Sequence, residues 1–152
     1  MDAPANSWVL DLTCTLAASP DRVFELLTDP QELARWWGPH GFTTPEMEID
    51  LRVGGRYRFG MQPPEGDLFH LSGEFVEIGP PRHLSYTFAW EEPDPDDRDT
   101  LVDLSLEPLD DGTRLVLHQA AFRTAARREL HRSGWTDSFQ KLRDVTGSSR
   151  DE

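Results

Sequence analysis

The feature that most constrains this chain is a change of hydrophobic period near residue 43. Before it, two short segments repeat apolar residues at helical spacing. After it, Met47, Ile49, Leu51 and Val53 alternate with Glu46, Glu48, Asp50 and Arg52, and period-2 stretches continue to about residue 120. Turn signals, not helices, separate these stretches: Gly54-Gly55, Pro63-Pro64-Glu65-Gly66, Gly79-Pro80-Pro81-Arg82 and Asp110-Asp111-Gly112. Strands joined by turns must run antiparallel. Each half-apolar strand then needs a cover on one face, and one late helical segment, roughly Thr124 to Val145, is long enough to supply it.

The flanking elements follow from similar patterns. Trp8, Leu10, Leu12, Cys14 and Leu16 alternate as a half-buried strand. Ser19-Pro20 and Asp29-Pro30 each place a capping side chain before a proline at the first helical position, and Glu32 follows Asp29 as in a capping box. The second helix is expected to end near Trp37, before Gly38-Pro39. Further strands are expected over Leu68 to Ile78, with Gly73 read as a bulge, and over His83 to Trp90, Leu101 to Leu106 and Thr113 to Ala120. The expected fold is α+β of helix-grip type: a curved antiparallel sheet of about six to seven strands around a long C-terminal helix, with two short helices after the first strand. The chain is read as a single domain over residues 1–152, with a core of about 8–145.

The C-terminal helix carries Leu130, Gly134, Trp135, Ser138, Phe139, Leu142 and Val145 on one stripe. Glycine inside a helix costs roughly 1 kcal/mol against alanine. Gly134 with Ser138 therefore reads either as space left between helix and sheet or as a cap or kink at Ser133-Gly134. Facing strands supply Tyr57, Phe59, Tyr86, Phe88 and Trp90. Large rings opposite small residues make either a filled core or an apolar cavity. The candidate ligand-binding residues are Trp37, Tyr57, Phe59, Tyr86, Phe88, Trp90, Gly134, Trp135, Ser138 and Phe139.

The formal charge of −13 argues against nucleic acid and anionic membrane surfaces, which need basic groups. The acids concentrate at Glu91, Glu92, Asp94, Asp96, Asp97 and Asp99; Arg123, Arg127, Arg128, Arg132, Lys141 and Arg143 make the late helix basic. Cys14 alone permits neither an intrachain disulfide nor a cysteine zinc site. The first seven residues have neither a basic nor an apolar region of signal-peptide type, so a cytoplasmic location is expected. No phosphate loop, nucleophile elbow or paired-histidine zinc motif is present, so no cofactor, metal or catalytic residue is assigned. His131, one turn before Trp135 on the inner stripe, reads as a helix-edge histidine, with a place at the pocket as the alternative, and His118 shares outward parity with Arg114. Asp11, Glu46, Glu48 and Asp50 read as solvated strand faces.

One succession of motifs adds a resemblance. Pro20-Asp21-Arg22-Val23-Phe24, Leu33 through Trp36-Trp37-Gly38-Pro39, Gly54-Gly55-Arg56-Tyr57-Arg58-Phe59, Gly73 with Glu77, Pro80-Pro81-Arg82-His83-Leu84, Gly112-Thr113-Arg114-Leu115 with His118, and Gly134-Trp135 occur in that order. This resembles stand-alone bacterial members of the family of activators of heat-shock-protein ATPase (AHSA-type), within the START-like SRPBCC superfamily. The resemblance implies a helix-grip fold with a hydrophobic cavity between sheet and C-terminal helix. Superfamily relatives bind lipids, sterols, polyketides and hormones, and some are cyclases or aromatases. The expected function is therefore binding of a small hydrophobic or aromatic molecule. The alternatives are a polyketide cyclase or aromatase-type enzyme, or a stress-related protein-interaction module using the acidic loop or the basic helix face. A homodimer through a strand edge is a further alternative.

Overall fold

The computed structural model describes residues 8–147. The elements run β1 (Trp8–Leu16), α1 (Pro20–Thr28), α2 (Pro30–Leu33), β2 (Thr43–Ile49), β3 (Arg56–Gln62), β4 (Phe69–Gly79), β5 (His83–Trp90), β6 (Thr100–Leu109), β7 (Gly112–Phe122) and α3 (Ala125–Val145). The strands form one antiparallel seven-stranded sheet in the order β1-β7-β6-β5-β4-β3-β2. It curves around α3, giving the expected α+β helix-grip architecture. No helix is long and apolar enough to cross a membrane among the described residues.

The helix starts are set by side chains that satisfy otherwise orphaned N–H groups. Ser19 accepts from Arg22 N, Asp29 from Gln31 N and Glu32 N, and Thr124 from Arg127 N. The second helix is shorter than expected: after Leu33 the chain turns through Trp36 and Trp37 instead of continuing the helix. That turn buries Trp36 completely and lets its indole donate to Leu26 O at 2.9 Å.

α3 is continuous through Gly134, so no kink divides it. Its buried positions are His131, Trp135, Ser138, Phe139 and Leu142, one face at helical spacing. Leu130 departs from the expected stripe and stands 52% exposed. Against this face lie the inward residues of the sheet, including Leu10, Leu104, Leu115 and Leu117, each at most 1% exposed. Burying a leucine of this kind contributes about 1.5–3 kcal/mol.

Two sheet details differ from the expected pattern. Leu51 and Val53 are not strand residues: the ladder ends at Asp50 N→Arg56 O, and a loop follows in which both are exposed. The register shift in β4 falls between Phe75 and Glu77, not at Gly73. Gly73 serves close approach instead. A Cβ there would meet the Tyr57 ring at 2.7 Å and collide with the backbone carbonyl of Thr87. The Tyr57 hydroxyl uses that opening to donate to Thr87 O at 2.6 Å.

Candidate functional site

A cavity of about 510 Å³ lies between the sheet and the first half of α3. Its floor is Met61, Leu71, Phe88 and Trp90 from β3, β4 and β5, and its roof is His131, Gly134, Trp135 and Ser138 from α3. Two loops form its lips. The first, residues 37–42, contributes Trp37, Pro39 and Phe42; the second, after β5, contributes Glu92, Asp94 and Asp97.

Both lips are tied to α3. On the first, Gly38 N donates to Ser138 Oγ at 2.9 Å and His40 N to Asp137 Oδ2 at 3.2 Å. Lys141 Nζ donates to the carbonyls of Trp37 and Pro39 at 3.5 and 3.4 Å. Burial holds the Lys141 ammonium below its ordinary pKa, partly offset by Asp137. On the second lip, Arg127 Nε donates to Asp97 Oδ1 at 2.7 Å and Nη1 to Asp94 Oδ2 at 3.3 Å. Arg58 grips Glu91 with two bonds at 2.8 and 2.9 Å. Glu91, Asp94 and Asp97 of the acidic loop thus have partners within the chain.

One polar group in the wall bears on what the cavity can hold. His131 is buried, not at a helix edge, and packs against Phe88, Trp90 and Phe122. Burial pushes its pKa down to about 4, helped by Arg127 and opposed by Asp97. Its imidazole is therefore neutral near pH 7. Trp90 Nε1, which can only donate, is 3.3 Å from His131 Nε2, so the proton of the neutral ring sits on Nδ1. Trp37 Nε1 is a buried donor with no hydrogen-bond partner among the described residues, and it presents almost no surface to the cavity.

The cavity brings together Trp37, Phe88, Trp90, Gly134, Trp135 and Ser138 from the sequence expectation. It does not take in Tyr57, Phe59, Tyr86 or Phe139. Tyr57, Phe59 and Tyr86 face the other end of the sheet, where Leu27, Leu33 and Trp36 of the α1–α2 region cover them. The gap left there, about 10 Å³, is hardly the size of one water. Burial raises the pKa of both Tyr57 and Tyr86, so both stay protonated. Phe139 is buried in the core beside Trp135, with ring centroids 5.7 Å apart. Phe42, Phe69, Arg127, His131 and the acids of the second lip are wall residues that the sequence reading did not select. For His131 the signal was present, since four residues before Trp135 is the same helix face.

A family model described as Activator of Hsp90 ATPase homolog 1-like protein matches residues 17–147. The chain belongs to that family. Solved structures of bacterial proteins share the fold over nearly their whole length. A protein from Chromobacterium violaceum is 29% identical with a TM-score of 0.83, covering 91% of this chain and 96% of its own. The AHSA1 protein from Silicibacter pomeroyi is 29% identical with a TM-score of 0.80, covering 93% and 99%. A protein from Nitrosomonas europaea is 27% identical with a TM-score of 0.78, covering 95% and 97%. Among curated proteins, none matches the sequence at a significant level. Within the family fold, Gly134 now has a specific setting: a Cβ there would meet only Pro39 Cγ, at an ordinary 3.8 Å.

Proposed function

We propose that this protein binds a small hydrophobic or aromatic molecule in the cavity between sheet and α3. The observation that carries the reading is the cavity itself: about 510 Å³, within the range of small-molecule sites, with Trp37, Phe42, Phe69, Phe88, Trp90 and Trp135 in its wall. An apolar ligand body would displace water from this largely aromatic wall and make dispersion contacts with it.

Titration with Nile red, an uncharged fluorophore, tests the proposal. Binding is expected as a blue-shifted, saturable emission, lost when the cavity is filled by Gly134→Phe in a variant that still unfolds cooperatively. Absence of saturable binding to the wild type, or equal binding to the folded filled variant, would overturn it.

A further inference from the structure

The cavity is aromatic in its depth and acidic at its opening. Along one flank the rings follow one another without a gap: Phe42 to Phe69 at 6.2 Å between centroids, Phe69 to Trp90 at 5.6 Å, and Trp90 to Phe88 at 5.3 Å. Immediately after Trp90 the chain turns into the second lip, which puts Glu92, Asp94 and Asp97 on the cavity wall. Against them, Arg127 is the one Arg or Lys among the described lining residues. The field at the opening is therefore negative, in a protein whose formal charge is −13.

We infer that the cavity takes a cationic amphiphile: an apolar or aromatic body bearing an amine or quaternary ammonium group, with the cation beside the Glu92 carboxylate and the ring faces of Trp90 and Phe69. The inference rests on the binding function proposed above and names the charge class of its ligand. Ring faces attract cations through their negative quadrupole, and nearby carboxylates add direct attraction at the same place.

The competing class is an anionic amphiphile such as a fatty or aromatic acid, for which Arg127 would be the anchor. Arg127 is already committed. Its Nε holds Asp97 and its Nη1 holds Asp94, and the Asp97 side chain is only 8% exposed. A ligand carboxylate that captured Arg127 would leave Asp97 buried without its partner, which opposes the exchange. Neither wall histidine offers an anion compensation: His131 is held neutral by burial, and His70 Nε2 is engaged with Glu46 Oε1 at 2.7 Å.

Matched ligands of opposite charge provide the test. Dodecyltrimethylammonium and dodecanoate, both below their micelle-forming concentrations, compete against Nile red on the full chain. At about 20 mM salt the ammonium is expected to displace the dye at a concentration at least about tenfold lower, a difference of about 1.4 kcal/mol. The ratio should shrink at about 0.5 M salt, where charges near the surface are screened. In a Glu92→Gln variant it should fall several-fold, each ligand being referred to that variant's own Nile red affinity. Equal displacement by the two ligands, tighter dodecanoate binding, or a ratio unchanged in the Glu92→Gln variant overturns the inference while leaving the binding function standing. Failure of Nile red to bind the wild type removes the binding function, and the inference with it.

Discussion

Trp135 donates its indole N–H to Gln119 Oε1 at 2.8 Å, deep between α3 and β7. Gln119 is fully buried and passes its own amide N–H on to Thr100 Oγ1 at 2.8 Å. The indole can only donate, so it fixes which way the Gln119 amide faces. Removing the amide strands the indole donor without water to replace it. Gln119→Leu is expected to lower the unfolding free energy by about 2 kcal/mol in urea titration, despite its similar volume.

A second consequence concerns acid. His131 is neutral in the fold with a pKa of about 4, whereas the unfolded chain has a histidine near 6.5. Between those values the unfolded state binds the extra proton, so stability falls as pH drops from about 6.5 toward 4 and is unaffected above. The size is on the order of 3 kcal/mol at the acid end. Urea titrations at a series of pH values should show this slope in the wild type and its loss in His131→Phe, relative to each protein's stability at pH 8.

His83, on the outer face of the sheet, titrates in the opposite sense. Burial lowers its pKa, but hydrogen bonding and charge from Asp103, with Glu77, outweigh burial and raise it. Its contribution is therefore fully present below about pH 6.5 and is lost as pH rises through the elevated folded value. The stability gap between wild type and His83→Gln should be larger at about pH 5.5 than at about pH 9. An NMR titration should place the His83 midpoint above that of an unstructured histidine.

Gly73 and Gly134 make a contrasting pair. At Gly73 a Cβ would collide with the Thr87 carbonyl and press on the Tyr57 ring, both held by the sheet. Gly73→Ala should cost about 3 kcal/mol or more, with the Tyr57–Thr87 hydrogen bond lost. At Gly134 the new methyl makes ordinary contact only, and the helix loses its least favourable interior residue. Gly134→Ala should stabilise by about 0.5–1 kcal/mol, read as a higher thermal midpoint.

Strand identity and parity were legible for most of the sheet because apolar residues alternate along the strands and glycine or proline turns follow β2, β3, β4 and β6. Tyr57, Phe59, Tyr86, Phe88 and Trp90 do carry their rings on the inner face. What the pattern did not contain was position along the strands. Whether an inward ring is covered by Leu33 and Trp36 or left open beneath Gly134 depends on where the α1–α2 turn lands, a matter of three-dimensional volume. Leu51 and Val53 misled because alternation persisted in sequence after the hydrogen-bond ladder had ended at Asp50. For His131 the spacing to Trp135 allowed either the helix edge or the cavity, and the burial against Phe88, Trp90 and Phe122 that decides for the cavity comes from strands distant in sequence.

The order of the sheet also dictates when its parts can be seated. β1 is an edge strand whose one neighbour is β7, with Leu16 opposite Thr113 and Trp8 opposite Phe122. Every other strand of the sheet lies in the chain between those partners. As the polypeptide leaves the ribosome, the meander from β2 to β7 can zip together through neighbouring hairpins, while β1 waits with Leu10, Cys14 and Leu16 uncovered. Closing so long a loop is entropically unfavourable until the rest of the sheet stands ready to receive it. β1 can pair only once β7 has been made, and until then its apolar face has no partner strand.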